Sequence, residues 1–296
     1  MKSFKYVFLF FLSTTLSSRS YIDYESPYHP VIGNSGMVVS QNNLSSDIGL
    51  EILNKGGNAI DAAVAVGFSL AVTLPRAGNL GGGGFMLVYL KESDEIFYID
   101  YRSKSPLNSN LENIFDIINN TGKPYVTVPK DFDYDLFDVL DEGYKASALP
   151  GTVAGLLDAH SRFGKLTLKE VLTPVIKQAS EGIVVSYDLY KAIESTPRLL
   201  KDPESKRIYF KNNKPIKENS ILKLPDLAQT ISLIAENGKD GFYKGVTAKK
   251  IDQAMKNNNG LLSLEDFSEY KAYIRQPIST EYRGNKVFTA GPPSGG

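Results

Sequence analysis

Arg102 is the side chain best placed for chemistry in this sequence. It stands at the end of a strand-like run, Glu95-Ile96-Phe97-Tyr98-Ile99-Asp100-Tyr101, downstream of the glycine-rich stretch Gly78-Asn79-Leu80-Gly81-Gly82-Gly83-Gly84. A planar guanidinium at a strand end can hold a carboxylate through two parallel hydrogen bonds. From residue physics alone, an exposed arginine with no ligand is the simpler reading. The glycines lack Cβ, so backbone can approach backbone there and φ above zero is tolerated. They read as a tight turn that packs a helix against a sheet. A phosphate cradle is the rival reading. It is disfavoured because no GxxxxGK[ST] lysine follows, and the order is helix–glycine–strand rather than strand–glycine–helix.

Other chemistries are limited by composition. The 296 residues contain no cysteine, which excludes a thiol nucleophile, a disulfide framework and a thiolate metal site. The only histidines are His29 and His160. Neither belongs to an HExxH pattern or follows a GxSxG elbow, so a Ser-His-Asp triad and a histidine-rich zinc site are not expected. Asp131, Asp133 and Asp135 have a calcium-loop look, but the central glycine and the closing glutamate are missing. A solvated acidic loop is expected, with no metal and no cofactor. The 33 basic and 33 acidic residues cancel, and no long run of one sign points to nucleic acid as a partner.

Several elements must position Arg102. Ser45 to Asn54 puts Ile48, Ile52 and Leu53 on one helical face, and Gly56-Gly57 stops it. Asn58 can cap the next helix, Ala59 to Thr73, with Asp61 in its first turn. That helix is apolar on most sides and is expected to be buried. The hairpin Phe85–Leu90 and Glu95–Tyr101 turns at Lys91–Asp94. Helices are expected over Thr152–Phe163, from a capping box at Thr167-Leu168-Lys169-Glu170 to Gly182, and over Tyr187–Glu194, Pro225–Glu236 and Thr247–Lys256. Ser263-Leu264-Glu265-Asp266 starts another. Strands are expected at Met37–Ser40, within Arg207–Lys217 around a turn at Asn212-Asn213, and at Tyr270–Gln276, Ile278–Tyr282 and Lys286–Thr289. Leu107–Ala146 reads as an irregular surface excursion. Residues 1–20, with Lys2, Lys5 and an apolar stretch too short to span a bilayer, read as a secretory signal peptide. Residues 21–296 form the remaining, α/β region, and a periplasmic or secreted protein is expected.

Four runs carry a family resemblance: Gly56-Gly57-Asn58-Ala59-Ile60-Asp61-Ala62-Ala63-Val64-Ala65, the glycine stretch through Gly84-Phe85-Met86, Asp100-Tyr101-Arg102, and Pro150-Gly151-Thr152-Val153-Ala154-Gly155. With the terminal Pro292-Pro293-Ser294-Gly295-Gly296, they resemble the γ-glutamyltranspeptidase (glutathione hydrolase) family, in the family's order. The resemblance implies the four-layer αββα sandwich of N-terminal-nucleophile hydrolases, with 21–296 supplying large-subunit residues. It implies γ-glutamyl acyl transfer from glutathione and other γ-glutamyl amides to water, amino acids or dipeptides through an acyl-threonine. It also implies a precursor that cleaves itself and a partner small subunit from that precursor.

By the same resemblance Arg102 binds the donor's α-carboxylate, and the nucleophile opens a Thr-x-His-type block beyond Gly296. No catalytic residue is then expected within these 296 residues. The chain is expected to be a fragment, from an incomplete sequence or a broken gene, and inactive alone. A free α-amine can act as base for such a threonine, in keeping with the scarcity of histidine. A cephalosporin or glutaryl acylase, a capsule depolymerase and a non-catalytic remnant remain as alternatives.

Overall fold

Asn58 sets the first long element. In a computed structural model, which describes residues 30–109 and 143–295, its side chain accepts from the N–H groups of Ile60 and Asp61. Asp61 in return accepts from the Asn58 N–H at 2.9 Å. This reciprocal cap opens helix α2 (Ala59–Thr73), preceded by α1 (Asn43–Asn54). As the all-round apolar pattern predicts, α2 is buried on most sides, with Val64, Ala65, Phe68 and Val72 wholly excluded from solvent. The valines and the phenylalanine contribute about 1.5–3 kcal/mol each on burial. Ser45, Ser69 and Thr73 join α1 to α2 through buried hydroxyl contacts of 2.8–2.9 Å.

The chain divides into two compact units, residues 1–37 and 38–296. Residues 30–37 contain no helix or strand. The second unit holds every element named here. The expected hairpin forms as β1 (Gly84–Leu90) and β2 (Glu95–Tyr101), in antiparallel register from Gly84 opposite Tyr101 to Leu90 opposite Glu95. A third strand, taken up below as β7, pairs with β2, so Tyr98 faces Arg275 and Asp100 faces Tyr273. Alternation puts Met86, Val88, Phe97 and Ile99 on one sheet face. That face packs on α3 (Thr152–Phe163), where Val88 and Ile99 meet Ala159 and the Phe97 and Phe163 ring centroids lie 4.9 Å apart.

The remaining helices build outward. They are α4 (Leu168–Glu181), α5 (Tyr187–Glu194), α6 (Pro203–Tyr209), α7 (Pro225–Asn237), α8 (Asp240–Tyr243), α9 (Gly245–Asn257) and α10 (Leu264–Glu269). Both expected capping boxes close, Thr167 with Glu170 and Ser263 with Asp266. Short ladders β3 (Ile183–Val184) with β6 (Ile221–Leu222), and β4 (Phe210–Lys211) with β5 (Lys214–Pro215), lie between them. Last come β7 (Tyr273–Arg275) and the hairpin β8 (Ile278–Tyr282) and β9 (Asn285–Thr289). The α/β expectation holds.

Two expectations change. Met37–Ser40 is not a strand. Within the second unit, Val38 instead packs its methyls towards Gly49, and the Ser40 hydroxyl donates to the Asn42 carbonyl at the entry to α1. The short strand and turn expected within Arg207–Lys217 form as β4 and β5 around Asn212-Asn213, after Arg207–Tyr209 closes α6, which Asp202 caps with Pro203 in its first turn. The strand expected over Tyr270–Gln276 is confined to β7, the only part paired to β2. Helix α8 has no counterpart in the expectations. The signal peptide of residues 1–20, His29, the acidic triplet Asp131, Asp133 and Asp135, and most of the 107–146 excursion lie outside the described residues.

Candidate functional site

The geometry around Arg102 begins with its glycines. A Cβ on Gly83 would lie 2.3 Å from the Ser103 nitrogen and 2.7 Å from the Tyr101 carbonyl. The glycine run is therefore pressed directly on the backbone that carries Arg102, as the tight-turn reading required. The Gly82 carbonyl accepts from the N–H groups of Gly151 and Thr152 at 2.7 and 3.1 Å, so it satisfies the first orphan donors of α3. Those two amides are therefore committed to the glycine run. Gly155 faces the Tyr101 ring, where a Cβ would come within 2.0 Å of Cγ. Burial pushes the Tyr101 phenol up to about 12, so it stays neutral at physiological pH.

Arg102 itself is held by its backbone. Its N–H donates to Asp100 Oδ1 at 3.0 Å, and its carbonyl accepts from the Tyr270 hydroxyl at 2.9 Å. Asp100 is buried, and its Oδ2 accepts from Arg275 Nε at 2.7 Å. Tyr270 stacks on Tyr243 with centroids 5.6 Å apart and planes 8° from parallel. The Tyr243 hydroxyl donates to the Pro150 carbonyl and accepts from the Ala154 N–H. Burial raises both phenols, which keeps them as donors. By contrast the Arg102 side chain is exposed, and its guanidinium makes no hydrogen bond or ion pair among the described residues. The result is a fixed backbone carrying a free fork, an arrangement suited to a carboxylate ligand.

Two concavities lie elsewhere on the described surface. A concavity of ≈ 510 Å³ is lined by Arg76, Asp188, Lys191 and Glu194. Arg76 and Asp188 already satisfy each other across it at 2.8–2.9 Å. A broader groove runs from Pro75 past Tyr209 to Asn258. Arg102 lines neither. Geometry favours Arg102, because its charge is uncommitted whereas the charges of the smaller concavity are paired.

Other candidates resolve as structural. His160 sets its Nε2 2.9 Å from the Leu166 carbonyl and 3.6 Å from Asp61, so it ties α3 to the start of α4. Among the described residues no cluster of three His, Asp or Glu side chains could hold a metal ion, and no helix is long and apolar enough to cross a membrane. Pro292–Gly295 is brought towards Arg102's own strand, because the Tyr98 hydroxyl donates to the Gly291 carbonyl at 3.1 Å. Sequence reading missed Asp100, Tyr243 and Tyr270. Asp100 was within reach of it, two residues before Arg102 and able to accept from that amide. Nothing in the sequence signals the two tyrosines.

Residues 45–296 match the family described as Gamma-glutamyltranspeptidase. The glutathione hydrolase proenzyme of Escherichia coli (strain K12) is 40% identical over 274 residues, covering 92% of this chain and 45% of the relative. The acylase ACY 1 proenzyme of Pseudomonas sp. (strain SE83) is 34% identical, covering 92% of this chain and 47% of the relative. The chain thus spans about half the length of these curated relatives. The crystal structure of Helicobacter pylori γ-glutamyltranspeptidase superposes with a TM-score of 0.81 at 36% identity, over 90% of this chain and 72% of that one. With a family match running from Ser45 to the last residue, the chain belongs to the γ-glutamyltranspeptidase family.

Proposed function

We propose that this chain supplies the donor-anchoring half of a γ-glutamyl acyl transferase and hydrolase. Arg102 binds the α-carboxylate of the γ-glutamyl group, and the scissile γ-amide lies beyond it. The substrates are glutathione and other γ-glutamyl amides, and the acceptors are water, amino acids or dipeptides. The acyl-accepting threonine belongs to the part of the family's chain that these 296 residues do not span, which is also the source of the partner small subunit. Export to the periplasm or outside the cell accords with the basic, then apolar, opening of the sequence. No cofactor or metal enters the reaction.

The observation that carries the reading is the free guanidinium on a clamped backbone. Remote binding energy of this kind can position a reacting carbonyl as well as hold the substrate. A panel of chromogenic anilides tests it on the enzyme expressed from its own gene. γ-Glutamyl anilide should be preferred over γ-aminobutyryl anilide, which lacks the α-carboxylate, by at least about tenfold in kcat/KM, the worth of one charge-assisted contact. A preference for glutaryl anilide would place the enzyme with the acylases.

A further inference from the structure

Tyr270 reaches Arg102 across 168 residues of sequence to donate one hydrogen bond to its carbonyl. Asp100 holds the preceding peptide through the Arg102 N–H. Both peptide groups that flank the Arg102 side chain are therefore gripped by side chains, while the guanidinium is left uncommitted among the described residues. The Tyr270 ring has its own supports. It stacks on Tyr243, and Lys104 Nζ lies 4.7 Å from its centroid. A Cβ on Gly151 would sit 2.0 Å from the Tyr270 hydroxyl oxygen, so that corner leaves the hydroxyl no freedom to move towards it. Phenylalanine would satisfy the stacking. What it would not supply is the bond to Arg102.

We propose that Tyr270 is a positioning residue for donor binding: its hydroxyl fixes the backbone from which Arg102 aims its fork at the α-carboxylate. This rests on the reading of Arg102 as the donor anchor. Bidentate recognition tolerates little error, about 0.5 Å or 10–20°, so loosening the carbonyl should weaken the contact without removing it. Discrimination between donors is the property it controls.

The test uses Tyr270→Phe, Arg102→Ala and the double variant, in the enzyme expressed from its own gene. Each is assayed with γ-glutamyl anilide and with γ-aminobutyryl anilide, which lacks the α-carboxylate, and each is melted by circular dichroism. Tyr270→Phe keeps the ring against Tyr243 and is expected to melt as a folded protein. It should lower kcat/KM for γ-glutamyl anilide about twofold to tenfold, the range of one neutral hydrogen bond, mainly through KM. Turnover of γ-aminobutyryl anilide should not change. On the Arg102→Ala background, Tyr270→Phe should have no further effect, since its route runs through Arg102. Equal losses for both donors, or independent effects in the double variant, would overturn the positioning role while leaving Arg102 in place. If Arg102→Ala alone keeps the wild-type preference for the α-carboxylate, the anchor reading fails and the role of Tyr270 fails with it.

Discussion

Asp61, at the start of α2, and Asp100, at the end of β2, are both buried aspartates within motif blocks of the same family. Their surroundings differ. Asp61 is consumed mainly by backbone: it accepts from the amides of Asn58, Lys165 and Leu166 at 2.9–3.2 Å, with His160 Nε2 a further 3.6 Å away. Asp100 accepts from one amide and one arginine, and the amide belongs to a residue whose own side chain is unpaired among the described residues. The first region is a closed joint between α2 and the α3–α4 corner. The second is a joint that presents something. A motif residue is therefore not a site residue by virtue of its block, and what separates the two is the partner left over after the hydrogen bonds are assigned.

Substitution at the closed joint should have the largest effect on stability. Asp61→Ala strips the acceptor from three amides and is expected to cost about 3–5 kcal/mol, read as a lowered urea midpoint. A wild-type midpoint would show that the joint is not structural. The glycine run separates the regions more finely. Gly83→Ala forces a methyl onto the Ser103 nitrogen and should cost about 1–3 kcal/mol, whereas Gly81 has only Asn79 Oδ1 at 3.5 Å and should accept alanine within about 0.5 kcal/mol. Equal effects at 81 and 83 would remove the distinction between filler and contact. The smallest change is expected at the presented side chain: Arg102→Ala should move the midpoint by less than about 0.5 kcal/mol.

Much of the closed region was legible in the sequence. Asn58 followed by Asp61 before an apolar run is a local signal, and so are the boxes at Thr167 and Ser263, because caps act within one helical turn. The β1–β2 hairpin was equally local, set by alternation and a polar turn. The misreadings have distant causes. Met37–Ser40 looks like a strand but pairs with no strand among the described residues. Asp202-Pro203 carried a readable start signal for α6 that the sequence reading passed over. At the candidate site, Arg102 and its glycines were visible, yet the hands that hold Arg102 were not. Tyr270 and Arg275 arrive from the far end of the chain, and no periodicity encodes a contact between such separated residues.

The central claim is that Arg102 presents its guanidinium to the donor's α-carboxylate. The direct measurement is kcat/KM of the Arg102→Ala and Arg102→Lys enzymes with γ-glutamyl anilide and γ-aminobutyryl anilide. Arg102→Ala should lose roughly tenfold to a hundredfold on the first donor and nothing on the second, since one charge-assisted contact is worth about 1.5–3 kcal/mol. Arg102→Lys should recover only part of that loss, because the charge returns without the fork. An Arg102→Ala enzyme that treats both donors as the wild type does would contradict the account and leave Arg102 an ordinary surface residue.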